Sequence, residues 1–143
     1  MTRVQTGKNR GMRGHAVIEV SLMMPWIFVL VAGAFDAGYY ANALIATTNA
    51  ARAAALYTSS NPGAATDAAG ACTYALGELN TLPNVKTLTA CDVAPLVVTA
   101  TQVNGPDGLP ASEVRIVYRT PVLVPIPGLP RQLTITRVAQ MKL

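Results

Sequence analysis

The segment Glu19-Val-Ser-Leu-Met-Met-Pro25-Trp-Ile-Phe-Val-Leu30-Val-Ala-Gly-Ala-Phe35-Asp36 decides how this chain is read. Residues 20–35 are sixteen consecutive residues without a charge, bounded by two carboxylates. About 20 apolar residues cross the hydrocarbon core of a bilayer as a helix. Adding His15 to Ile18 brings the run to spanning length and places Glu19 inside it. Before the run stand Arg3, Lys8, Arg10 and Arg13 with no acidic residue, and after it no basic residue occurs until Arg52. That asymmetry predicts a single-pass helix with its N-terminus inside and its C-terminus outside.

The rest of the composition agrees. Only 13% of the 143 residues are charged, against about a quarter in soluble domains. The net charge of +4 belongs to residues 1–14, since residues 15–143 hold seven basic and seven acidic side chains. With the basic stretch set aside, no clustered positive footprint remains to neutralise phosphates, so nucleic acid is not expected as a partner. The partner expected of the apolar run is the lipid bilayer.

Glu19 is the residue within this run that calls for a reason. A carboxylate inside an apolar membrane helix costs about 2.5–3.5 kcal/mol on insertion scales. Near the interface it can snorkel. Deeper in, it requires a cation, and a charge pair in low dielectric is useful only with both partners present. Gly14 closes the basic stretch and Glu19 is the fifth residue after it. Cutting the Gly14–His15 bond creates an ammonium group on His15, which in a stacked assembly can pair with Glu19 of a neighbouring subunit. Gly11 has Ala16 five residues on and does not fit the pattern.

A basic leader, Gly14, four residues, Glu19 and an apolar helix together resemble the type III and type IV prepilin signal. Val17-Ile-Glu19-Val-Ser-Leu-Met-Met-Pro25 is similar to the start of the TadE-like family, as are Phe35-Asp-Ala-Gly38-Tyr39-Tyr40 and Asn49-Ala-Ala-Arg52-Ala-Ala. The chain departs from pilin patterns at His15, where an aromatic residue is usual, and at Val20, where Phe is frequent. The resemblance covers about residues 13–57. It implies a minor pilin, or pseudopilin, of the tight-adherence (Tad/Flp) type IV pilus system. The implied partners are a prepilin peptidase cutting at Gly14-His15, the major pilin, other minor pilins and the inner-membrane assembly platform. The implied location is the inner membrane, then the pilus on the cell surface, with a part in assembly or at the priming tip. Two other readings remain: an uncleaved single-pass anchor bearing a periplasmic binding module, and a secreted protein cut after an ordinary signal peptide. For the latter, Ala32-Gly-Ala34 and Ala41-Asn-Ala43 are small-residue sites of the right kind.

Pro25 lies within the predicted helix, where it removes an N–H and is expected to kink the helix or be tolerated by neighbouring chains. Residues 37–57 are alanine-rich and continue the helix. Ala34 with Gly38, and Ala37 with Ala41, are small residues four apart, a spacing that allows close helix approach. From His15 to Tyr57 the helix would be roughly 65 Å long, ending at Asn61-Pro62-Gly63. The expected organisation is a basic leader over 1–14, a long helix over 15–60 and an exported head over 61–143.

The head reads as α+β. Ala64 to Leu79 is a short helix, with Asn61 as its expected cap and Pro62 in its first turn. Leu96 to Val103 is β-rich, and Asn104 to Pro110 is a dense turn. Glu113 to Arg119 alternates, with Val114, Ile116 and Tyr118 on one face. Arg131 to Lys142 alternates again, with Leu133, Ile135, Ala139 and Met141 on one face and Arg137 interrupting it. These make a small antiparallel sheet of about three strands packed on helices. The apolar loop Val122-Leu-Val-Pro-Ile-Pro-Gly-Leu129 is either packed locally or a partner surface. In an oxidising compartment Cys72 and Cys91 would form one disulfide, contributing roughly 3 kcal/mol. The other reading is two buried thiols.

Catalysis is not expected. His15 is the single histidine, so the head cannot assemble a Ser–His–Asp or Cys–His set. Two cysteines without a nearby histidine offer too few ligands for a metal, and no phosphate-binding glycine motif is present. No cofactor is expected.

Overall fold

The computed structural model describes residues 12–121 and 132–143, with side chains from residue 15 onward. The basic residues Arg3, Lys8 and Arg10 and the apolar loop 122–129 lie outside the described residues. The element order is α1 (Met12–Thr58), α2 (Ala68–Leu79), β1 (Leu96–Asn104), β2 (Pro110–Arg119) and β3 (Thr134–Lys142). This is the expected α+β architecture: a long apolar helix, a second short helix and a three-stranded antiparallel sheet. The chain divides into two compact units, Met1–Ala37 and Gly38–Leu143.

Within the first unit, α1 is helical from Met12 onward and passes through Pro25 without a break. Proline withholds the N–H that the carbonyl of Ser21 would accept. Ser21 turns its hydroxyl back onto the carbonyl of Val17 at 2.8 Å, the local side-chain bond that serine makes inside helices. Trp26, Phe28, Leu30 and Phe35 are each about 70% exposed, and the residues between them are also uncovered. A helix apolar all round, with none of the described residues packed against it, belongs in lipid or against other proteins. It is long and apolar enough to cross a membrane.

The second unit has a core of small residues on one side and branched residues on the other. From Gly38 onward α1 buries Ala43, Ala46, Thr47, Ala50, Ala51, Ala54, Ala55 and Thr58, positions that repeat every three or four residues and define one helix face. Alanine there lets the helix axis approach closely what it packs on. That is the sheet: β1 pairs with β2 and β2 with β3, both antiparallel, in the order β1-β2-β3. The register places Leu96, Tyr118 and Ile135 in one cross-strand row, Val98, Ile116 and Arg137 in the next, and Ala100, Val114 and Ala139 in a third. These are the same-face rows through which sheets are stabilised. The expected inner faces of β2 and β3 are therefore found, except that Leu133 is 41% exposed and lies before β3 begins.

Hydrogen bonds fix how α1 lies on the sheet. Tyr39 meets Tyr118, and Thr58 meets Ser112 further along, so α1 runs antiparallel to β2. Ser112 donates to the Thr58 hydroxyl at 2.6 Å, and Thr58 donates to the carbonyl of Ala55. A buried hydroxyl pair is thereby satisfied.

α2 begins later than expected and with a different cap. Asn61 accepts from the N–H of Ala64 in the preceding turn, while Asp67 caps α2 by accepting from the N–H of Gly70. Residues 61–66 form turns, because the Asn61-Pro62-Gly63 break consumes the residues that would have made the first helical turn. Asp67 is the better cap here, since its second oxygen also holds Tyr57.

Candidate functional site

The residues expected to serve processing and assembly, Gly14, His15, Glu19 and Pro25, all lie on α1. Gly14 and His15 fall within its first turn, so the helix runs through the Gly14–His15 bond rather than starting after it. Glycine is the residue that resists a helical interior most after proline, by about 1 kcal/mol relative to alanine, which makes Gly14 the weak point of this turn. His15 and Glu19 are four apart and share one helix face. Both are exposed. Among the described residues Glu19 makes no hydrogen bond and no ion pair. No described residue therefore partners this carboxylate on the apolar helix.

Pro25 lies a turn and a half beyond Glu19 on the same uninterrupted helix. The small residues Ala34, Ala37, Gly38 and Ala41 are exposed. A Cβ added at Gly33 or Gly38 would meet nothing within 4 Å. This open strip differs from the buried alanine face that begins at Ala43.

Cys72 and Cys91 form a disulfide, with Cα atoms 5.7 Å apart. It ties α2 to the segment that leads into β1, and both cysteines are buried. Closing a loop of nineteen residues stabilises the head by about 3 kcal/mol in the chain-entropy picture.

Besides the Thr58–Ser112 pair, three polar connections hold α1 to the head, and none was marked by a sequence motif. At the α1–α2 corner the Tyr57 hydroxyl donates to Asp67 at 2.7 Å and its ring stacks on Tyr74, with centroids 4.7 Å apart. The Gly70 N–H and then the Tyr57 hydroxyl hold the Asp67 carboxyl below its ordinary pKa. The same bond to Asp67 raises the Tyr57 phenol above its usual value. Gly70 sits beneath the Tyr57 ring, where a Cβ would collide with the aromatic edge and with the Asp67 carboxylate. Glycine is required there for space.

Further along α1, toward the apolar segment, the Tyr118 hydroxyl donates to Asn84 Oδ1 and lies 3.1 Å from the Tyr39 hydroxyl. A phenol has one proton to give. With that proton on Asn84, Tyr39 is the donor to Tyr118. Asn84 passes the chain on by donating to the carbonyl of Arg119 at 3.0 Å. Burial raises the Tyr118 phenol well above its usual pKa. The third connection is Arg137, which interrupts the apolar row of β3 because its Nε donates to Thr48 on α1 at 3.2 Å.

Among the described residues no group of three or more histidine, cysteine or carboxylate side chains could hold a metal ion. Among the described residues, the clefts lined by Gly105 and Lys142, by Cys72 and Asp92, by Arg52 and Arg137 and by Asn84 and Arg119 do not collect an acid, a base and a nucleophile.

Comparison with known proteins gives one match. The family model described as TadE-like protein matches residues 14–56. No curated protein and no solved structure matches the chain. The matched segment holds Gly14, His15, Glu19 and Pro25 and extends through the buried alanine face of α1. The single long apolar helix fits a membrane-anchored protein. Over residues 14–56 this chain is similar to the TadE-like protein family.

Proposed function

We propose that the chain is a minor pilin, or pseudopilin, of a Tad-type (Flp) type IV pilus, acting in assembly or in priming the pilus tip. The observation that carries this reading is Glu19: an exposed carboxylate without a partner among the described residues, on an exposed apolar helix, five residues after Gly14, inside the TadE-like match. Residues 1–14 act as a leader that a prepilin peptidase removes at Gly14-His15. Residues 15–60 act as membrane anchor and stalk, and residues 61–143 as the exported head. Before cleavage the protein sits in the inner membrane with its N-terminus inside and its C-terminus outside.

After cleavage the new His15 ammonium is available to a carboxylate. Within one chain His15 and Glu19 are neighbours on one helix turn. In a stack of subunits the Glu19 of one chain can take the amino terminus of the next. The charge then leaves the apolar layer as a pair, which removes the penalty of carrying it alone. The partners of this process are the prepilin peptidase, the major pilin and other minor pilins, and the inner-membrane assembly platform. Pro25 acts as a local weak point that lets α1 bend as it leaves the bilayer for a helical assembly.

The test is the amino terminus of the protein from native membranes and from sheared pili, read by mass spectrometry. A start at His15 supports the reading. A start at Met1 in both fractions would instead support a permanent anchor with a periplasmic head. A start within residues 35–44 would support secretion and would discard Glu19 altogether.

A further inference from the structure

The head carries a cleft with two arginines and no acid. Thr48, Ala51 and Arg52 of α1 form one wall, and residues 137–141 of β3 form the other, around a volume of about 310 Å³. All seven Asp and Glu side chains of the chain lie among the described residues. The one ion pair formed among those residues is Lys142 with Asp107 at 3.3 Å. Arg52 and Arg137 therefore face the cleft without a carboxylate of their own.

Arg137 is also held in place. Its Nε donates to Thr48 Oγ1 at 3.2 Å and its Nη1 to the carbonyl of Thr136 at 3.0 Å. The Thr48 hydroxyl is fixed in turn by donating to the carbonyl of Leu44 at 2.8 Å. A guanidinium carries five N–H groups, so three remain for a ligand, presented by a side chain whose orientation is already set. Such planar forks bind carboxylates through two parallel bonds.

The same cleft runs along an open sheet edge. β3 is the last strand in the order β1-β2-β3, and consecutive β3 residues from Arg137 to Met141 line the cleft. Alternate N–H and C=O groups of an edge strand point away from the sheet and accept another strand readily. Among the described residues no other strand takes them. A free β edge beside two unpaired guanidinium groups fits one kind of occupant.

We propose that the cleft between α1 and the β3 edge docks an extended, carboxylate-bearing segment of another protein subunit, which adds a strand to β3 and places an acidic side chain between Arg52 and Arg137. This deepens the assembly reading by giving the head its own partner contact, yet its test does not depend on processing at Gly14. The probe is a fluorescein-labelled peptide of alternating Glu and Val, titrated by anisotropy against the full chain in zwitterionic detergent micelles. Saturable binding is expected, weakened about tenfold by Arg52→Gln, and equally by replacing Glu with Gln in the peptide. N-methylation of alternate peptide bonds should also weaken it, because it removes the strand donors. Arg137→Gln should act likewise, while circular dichroism checks its fold, and Arg52, which makes no bond within the head, keeps the test open if that variant unfolds. Lys86→Gln, a change of equal charge at an exposed site, should leave binding unchanged. Equal binding of the Gln peptide, or an effect of Lys86→Gln as large as that of Arg52→Gln, would overturn the proposal. So would failure to bind the peptide while inorganic phosphate or phosphatidylglycerol vesicles bind, which would make the cleft a phosphate or headgroup site.

Discussion

Single residues at the α1–α2 corner show how a polar contact substitutes for missing apolar bulk. Asp67 caps α2 and holds Tyr57 at the same time, and Gly70 leaves the space that the Tyr57 ring fills. Gly70→Ala should lower the stability of the head by about 1–3 kcal/mol through overpacking, measured by thermal unfolding of the full chain in micelles. An unchanged melting temperature would mean that the Tyr57 ring can move aside at no cost. The pH dependence has a defined sign. In the folded protein the Asp67 carboxyl lies below its ordinary value of 3.8. Its contribution is therefore complete above that ordinary value and is lost as pH falls below it, through the folded pKa. Asp67→Asn should flatten the acid limb of the stability curve below about pH 4 relative to the parent chain. At the other end of the head, Tyr118→Phe leaves the Asn84 carbonyl and the Tyr39 hydroxyl without their partner. About 1–3 kcal/mol should be lost, and Tyr39→Phe should cost less because Tyr118 keeps its bond to Asn84.

At the scale of elements, α1 carries two different programmes on one continuous helix. As far as Ala37 its apolar surface is left exposed by the described residues, whereas from Ala43 its small residues are buried. Replacing Ala50 or Ala54, both fully buried, with Leu should separate α1 from the sheet and destabilise the head by about 1–3 kcal/mol. The same change at the exposed Ala41 should leave head stability unaltered, and can be compared in the same unfolding assay. The disulfide links α2 to the segment that leads into β1. Cys72→Ser together with Cys91→Ser should cost about 3 kcal/mol, and reduction of the parent chain should shift its melting point to the same extent. A parent protein insensitive to reductant would show that packing alone holds α2.

For the whole molecule the decisive variable is whether Glu19 finds a cation outside its own chain. Glu19→Gln should leave processing at Gly14 largely intact and impair incorporation into pili, scored as the fraction of mature protein recovered in the sheared fraction. Normal incorporation would remove the pairing role while leaving the membrane anchor untouched. Gly14→Ala should block processing, seen as retention of the 1–14 mass.

Local patterns of residue type define the order of the elements and the polarity of the α1 and β2 faces. Sixteen uncharged residues admit little but an apolar helix, and the alternation of Val114, Ile116 and Tyr118 admits one inward face, because both patterns are local and repeat at the helical or strand period. The segment from Gly14 that the TadE-like model matches is legible for the same reason: it is a linear pattern at fixed spacing. The cap of α2 was misread because Asn61 and Asp67 are both good capping residues, and the choice between them rests on Tyr57, ten residues before Asp67 and on another helix. Only the tertiary structure decided that Arg137 belongs on the inner face, that Tyr39, Tyr118 and Asn84 form one chain of hydroxyl and amide contacts, and that Arg52 and Arg137 share a cleft. These pairings join residues from 34 to 89 positions apart. Such contacts are set by how one element packs on another, and no local pattern of residue types encodes that distance.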